Sequence, residues 1–190
     1  MKIETDRLVL EAVTPAVAPL VWDATERSLS ELLPWMAWAA GSSLATTEEW
    51  AADAERRAGT SDAHIFVMFG ATDVVGVVGI ERVDRIHRNA ALGYWVRSDV
   101  AGQGYATEGG AAAVEHAFSV MGLHRLVLLA GVGNHGSNRV AQKLGFRLEG
   151  VARDGSSGAF GFFDCNVYAL LEGDPRPPEA GAERLRKNEP

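Results

Sequence analysis

Residues 93–107, GYWVRSDVAGQGYAT, decide how the rest of the chain is read. An apolar run from Ala90 to Val96 leads into a polar segment, then Gly102-Gln103-Gly104, then a long helical pattern. This is a strand running into a glycine turn that opens a helix. The first N–H groups of a helix have no partner within it, and the positive end of the helix dipole lies there. Glycines let the backbone reach positive φ and come close to a ligand, so several N–H groups can converge on one anion, most often a phosphate or pyrophosphate. A plain tight turn before a helix would use the same glycines.

Two common phosphate loops fail on residues. A P-loop needs Lys and Ser/Thr after its last glycine, and here Tyr105, Ala106 and Thr107 follow. A dinucleotide fingerprint needs a third glycine, where Thr107 stands, and an acid about 20 positions on. No Asp or Glu occurs between Glu115 and Glu149.

Outward from the turn, His64 to Phe69 and Val74 to Ile80 read as hairpin strands, with Gly76 and Gly79 inside the second. Arg82 to Asn89 reads as a charged connection. On the other side, Ala106, Gly110, Ala113, Val114, Ala117, Phe118 and Met121 mark one helical face, closed by Gly122. Leu123 to Ala130 is apolar enough for a strand buried on both faces. A loop (131–136), a short helix from Ser137 to Leu144, and strands Phe146–Val151 and Phe160–Leu171 follow, with a hairpin loop at 155–158. Towards the N-terminus, Arg7 to Val13 alternates as a strand. Thr14-Pro15 reads as the start of a helix reaching about Arg27. Pro34 forbids a regular helix across Ser30 to Ala40. Thr46-Thr47-Glu48-Glu49 reads as a capping box for a helix to Ala58, ended by Gly59. Residues 1–172 form one domain by this reading, and 173–190 a flexible tail rich in proline and charge.

The chain has 190 residues, a net charge of −7 and one cysteine, Cys165. An acidic chain argues against nucleic acid as a partner and suits a cationic acceptor. One cysteine excludes an intrachain disulfide framework and a cysteine metal cluster. The N-terminus MKIETDRLVL lacks the apolar region of a signal peptide, and no apolar run reaches membrane-spanning length. A cytoplasmic location is the expectation.

The residues of the turn resemble the acetyl-CoA-binding pattern of the GNAT superfamily, Gln/Arg-x-x-Gly-x-Gly/Ala. It falls on Ala101-Gly102-Gln103-Gly104-Tyr105-Ala106, with Ala101 replacing the usual Gln or Arg. The longer string GYWV…GQGYATE is similar to the RimJ/RimL branch, which acetylates protein N-termini. Asn134-His135-Gly136-Ser137 through Lys143-Leu144-Gly145-Phe146 resembles the family's Asn-x-x-Ser-x-x-Val…Lys-Leu-Gly-Phe helix, and Phe163-Asp164 before Val167–Leu171 its last strand. The resemblance implies an α/β (α+β) GNAT fold: a central mixed, mostly antiparallel, seven-stranded sheet with helices on both faces and splayed parallel strands at the centre.

It also implies an acetyl-CoA-dependent N-acetyltransferase without a metal, in which an amine attacks the thioester directly. Tyr94, Trp95, Val96, Gly102, Gln103, Gly104, Tyr105, Ala106, Thr107, Asn134 and Asn138 fall on its coenzyme positions, with a backbone N–H near Val96 for the oxyanion. Trp35 and Trp38, in Leu-x-Pro-Trp-Met-x-Trp, fall on the acceptor wall. The tyrosine that many members use as general acid is Ala141 here, and the branch's serine falls on Ser137, which also suits a helix N-cap. Glu81 is the nearest candidate base, with Asp84 and His87 beyond it. At pH 7 on the order of a tenth of an α-amine is neutral, against well under a thousandth of a lysine. A weakly defined base therefore favours a protein N-terminal α-amine as acceptor. A small amine or antibiotic is the rival acceptor, and a silent acyl-CoA sensor the rival class. Trp35, Trp38 and Ser137 argue against silence. A homodimer stays open.

Overall fold

A computed structural model describes residues 1–60 and 62–176. In chain order the elements are β1 (Lys2–Glu4), β2 (Val9–Ala12), α1 (Ala18–Glu26), α2 (Leu29–Leu32), α3 (Leu44–Thr60), β3 (His64–Phe69), β4 (Val74–Asp84) and β5 (Asn89–Val96). Then come α4 (Tyr105–Ser119), β6 (Arg125–Gly131), α5 (His135–Lys143), β7 (Arg147–Gly158) and β8 (Gly161–Leu171). One sheet runs in the order β1-β2-β3-β4-β5-β6-β8-β7. Every pair is antiparallel except β5 with β6, which α4 connects. The fold is the expected mixed sheet with one parallel pair, but it has eight strands among the described residues. The additional one, Lys2–Glu4, pairs with Glu11 to Val9.

The alternation of β3 shows how the two faces divide. Phe66 and Met68 join Leu8, Leu10, Val78, Leu92, Val114 and Leu126 under α4 and α5. Ile65 and Val67 join Val13, Val21, Ala51, Ala54 and Val77 under α1 and α3. Apolar side chains alternating along a strand covered on both sides produce this two-layered core.

Several boundaries differ from expectation for local reasons. Thr14 makes no side-chain cap, and Pro15–Val17 is a 3-10 turn. Pro19 lacks the N–H that a continuous helix from Pro15 would need, so α1 starts afresh at Ala18. The cap before α3 is a reciprocal pair: Ser43 N–H donates to Thr46 Oγ1 at 2.9 Å and Thr46 N–H to Ser43 Oγ at 3.2 Å. That helix passes through Gly59 to Thr60. β4 extends to Asp84, and the charged connection shrinks to a turn in which Asp84 Oδ1 accepts the N–H groups of Ile86 and His87. Residues 155–158 lie inside β7, and the hairpin turns at 159–160. Here the glycines serve close packing, since a Cβ on Gly158 would sit 2.2 Å from Pro34 O. Residues 173–176 are tied down, with Asp174 pairing with Arg147 at 3.0 Å. The rest of the expected tail, 177–190, lies outside the described residues.

A partly buried polar pair joins α4 to β3. His116, 6% exposed, meets His64 ring to ring, with Nε2 and Nδ1 2.8 Å apart. Burial, and then the neighbouring His64, push His116 down from 6.5 to about 4. The folded protein thus binds fewer protons at this site than the unfolded chain. Its stability is complete above pH 6.5 and is lost as pH falls towards 4, by about 2 kcal/mol at pH 5. His116→Gln keeps a hydrogen-bonding side chain but removes the titration. Melting curves should show the variant close to wild type at pH 8 and less acid-sensitive near pH 5. Parallel loss of stability with falling pH in both proteins would contradict this assignment.

Candidate active site

β5 leads directly into the glycine turn. Its end is pinned by Arg97, which is buried and donates to Asp73, to Asp99 and to the Val74 carbonyl. A 3-10 turn at Ser98–Val100 follows, then Ala101, which is exposed. Gly102 and Gly104 both take left-handed backbone, with φ of 79° and 92°. Ala101 N–H still reaches Ser98 O, and the next N–H with an acceptor is Thr107, which donates to Gly104 O at 3.0 Å. The five N–H groups of residues 102–106 have no acceptor among the described residues. They stand at the N-terminus of a 15-residue helix. The cradle therefore ends at Ala106. Thr107 N–H is used inside the helix, which leaves its hydroxyl as the group it can offer there.

Beside the cradle the sheet opens. β5 and β6 pair only at Asn89–Arg125, Ala90–Leu126 and Ala91–Val127, and then part. Arg97 N–H donates to Val75 O, and the β4–β5 register pairs Val77 with Trp95 and Gly79 with Gly93. Backbone groups alternate sides along a strand. Tyr94 and Val96 consequently turn their N–H and C=O groups towards the opening.

On the α5 face of the opening two hydroxyls meet. Tyr94 Oη lies 3.0 Å from Ser137 Oγ and 3.2 Å from Ser137 O. Burial pushes the Tyr94 phenol up to about 12, against the opposing pull of the Ser137 hydrogen bond, so it stays protonated. Ser137 is not the helix cap. Asn134 is, and its side chain accepts from Ser137 N–H at 3.0 Å. That leaves the Ser137 hydroxyl with Tyr94 as its partner. Asn138 donates to Gly131 O and Asn134 O and accepts from Asn166 and Tyr168. Its amide is thus saturated by the protein and holds α5 against β6 and β8, with nothing left for a ligand.

The opposite face carries the aromatics. Trp35 packs edge-on against Phe163 and covers Gly131, at the β6–β8 lip. Trp38, 47% exposed, leans on Trp95 at the β5 lip. The Trp95 side chain therefore lies on the Trp38 side, and its backbone groups, paired with Val77, face β4. The loop bearing Trp35 is fixed by Ala159 N–H donating to Leu33 O at 2.8 Å. Glu81 shares this face, opposite Ala91 in the ladder, and lies 3.8 Å from Arg57. Asp84 and His87 do not reach the opening. They close the turn beyond Asn89, five residues and about 17 Å from Tyr94 along the strand. Among the described residues no three His, Cys, Asp or Glu side chains converge on a metal site, and no helix is long and apolar enough to cross a membrane.

The acetyltransferase (GNAT) domain model matches residues 7–147, which include the cradle, both lips of the opening and α5. The chain belongs to the GNAT acetyltransferase family. Among relatives of this GNAT domain, the ribosomal-protein-serine acetyltransferase of Escherichia coli is 31% identical over 57% of the chain and 61% of that protein. The chain spans about half to three-fifths of the length of the first curated relatives it matches. Two solved structures share the fold. One is RimL, the ribosomal L7/L12 α-N-protein acetyltransferase, in complex with coenzyme A, with TM-score 0.85, 23% identity, and coverage of 90% of this chain and 98% of that one. The other is the microcin C7 self-immunity acetyltransferase MccE with acetyl-CoA and AMP, with TM-score 0.83, 22% identity, and coverage of 88% and 93%.

Proposed function

We propose that this domain transfers an acetyl group from acetyl-CoA to a protein N-terminal α-amine. The observation that carries the reading is the continuity of β5: one strand presents Tyr94 and Val96 to an opening and ends in five N–H groups without acceptors. Residues 102–106 would hold the pyrophosphate, and the N–H groups of Tyr94 and Val96 the pantetheine arm and the carbonyl oxygen. Bound acetyl-CoA supplies an activated acyl carbon. The acceptor would enter from the Trp35–Trp38 face, its nitrogen forming the new bond to that carbon as the carbon–sulfur bond breaks. Ser137, supported by Tyr94, would give its proton to the departing sulfur. The amine's surplus proton would pass to water, directly or through Glu81.

Glu81 lies 3.8 Å from Arg57, and an acceptor that is already partly neutral asks little of a base. The Escherichia coli relative is a ribosomal-protein-serine acetyltransferase, which supports a protein acceptor. The test is kcat/KM against pH for a peptide bearing a free α-amine. It should rise with the amine's own pKa, near 8, and then level off. A small amine or a lysine side chain turned over faster than any free peptide N-terminus would overturn the acceptor assignment.

The exposed Ala101 gives a second expectation. Ala101→Arg adds a cation at the entrance of the cradle. Affinity for coenzyme A should rise by roughly 1–2 kcal/mol, as for a charge-assisted hydrogen bond. Titration calorimetry would show it, and unchanged or weaker binding would mean that the phosphate does not lie there.

A further inference from the structure

The cradle is braced from behind by a residue far away in sequence. Arg7, in the segment between β1 and β2, donates through Nη1 to Gln103 O at 2.9 Å. Its guanidinium lies over the Tyr105 ring, 4.7 Å from the centroid. A Cβ added at Gly104 would meet Arg7 Nη2 at 3.2 Å. The guanidinium therefore contacts Gln103 and Tyr105 and lies close beside Gly104. Glu108, in the first turn of α4, aims it. Glu108 accepts from Arg7 Nε at 2.7 Å, Arg7 N–H at 2.8 Å and Thr5 Oγ1 at 2.7 Å, and pairs with Arg7 Nη2 at 2.6 Å. Burial opposes its charge, yet these hydrogen bonds hold Glu108 below the ordinary carboxylate range.

The contact on Gln103 O has a geometric consequence. No peptide bond among the described residues is cis. In a trans peptide the C=O and the next N–H point in opposite directions. Drawing Gln103 O towards Arg7 turns Gly104 N–H away from Arg7, to the open side of the turn. Without that hold, a Gly-Gln-Gly turn has many backbone conformations, and few of them align five N–H groups. Ordering them would then fall to the ligand and weaken binding.

We propose that Arg7, aimed by Glu108, is a positioning residue that pre-orders the phosphate cradle, so that the segment after β1 controls coenzyme affinity without touching the reacting atoms. This rests on the reading of residues 102–106 as the pyrophosphate site. Losing a hydrogen bond of a charged group is worth about ten-fold or more. Arg7→Gln should therefore raise KM for acetyl-CoA about ten-fold while kcat stays within about two-fold.

The discriminating probe is S-acetylpantetheine, a donor with the same thioester and no phosphates. Its kcat/KM should be unchanged in Arg7→Gln. Equal losses with both donors would show a general structural role and overturn the proposal. Glu108→Gln and Arg7→Lys, which disturb the fold less, should show the same donor-selective pattern more weakly. They decide the matter if Arg7→Gln does not fold. Calorimetric titration of wild type with coenzyme A separates the two readings: no binding overturns both, whereas normal binding with no donor-selective effect overturns the bracing role alone.

Discussion

Gly104→Asp should weaken coenzyme A binding by about a hundred-fold or more. Three costs coincide at this position. Gly104 has φ of 92°, where an L-residue is strained by roughly 1–2 kcal/mol. The turn relieves that strain only by moving its N–H groups out of line. The new Cβ lies 3.2 Å from Arg7 Nη2, so the brace must shift as well. Finally, a carboxylate would stand where the phosphates must go, and it would compete with Gln103 O for Arg7. Gly104→Ala carries the first two costs without the charge and should fall in between. Calorimetry with coenzyme A orders the three proteins, and wild-type affinity in Gly104→Asp would remove the cradle from the account.

Ser137→Ala should lower kcat by about a hundred-fold, the lower end of what general acid catalysis contributes. A thiol of pKa about 8.5 is a fair leaving group even unprotonated, which keeps the effect modest. KM for acetyl-CoA and the melting temperature should change little, because the α5 cap is Asn134 and not Ser137. Asn134→Ala makes the opposite prediction: a loss of about 1 kcal/mol in stability with kcat nearly intact in the folded fraction. Tyr94→Phe keeps the ring and removes the hydroxyl 3.0 Å from Ser137 Oγ, so it should follow Ser137→Ala in kcat with a smaller loss. Ser137→Ala losing stability while keeping wild-type turnover would place the hydroxyl in the fold and out of the chemistry.

Much of the fold was legible because its signals are local. Two-residue alternation over Arg7 to Val13 marks β2, and apolar runs bounded by turn residues mark β3, β4 and β6. β1 escapes because three residues, KIE, are too short to show a period. The glycines at 155–158 look like a turn, since glycine for close approach and glycine for reversal are the same letter, and only the Pro34 carbonyl behind Gly158 tells them apart. Asn134 and Ser137 are both good cap formers three residues apart, and nothing local ranks them. The site is less legible because its defining contacts are long-range. Tyr94 meets Ser137 across 43 residues and Arg7 meets Glu108 across 101. The alternation of β5 does place Tyr94 on the same face as Leu92, towards the helices, but no pattern in the chain says which side chain waits there.

The most direct test of the central claim is amine-dependent thiol release from acetyl-CoA, followed with mass analysis of the acceptor. Two peptides of identical sequence would be compared, one with a free α-amine and one with its N-terminus already blocked. The account predicts that thiol appears only with the free peptide, in step with one acetyl group gained at its N-terminus, and that Ser137→Ala slows both equally. Coenzyme A binding with no thiol release for any peptide or small amine offered would contradict it, and would make the domain a silent acyl-CoA binder.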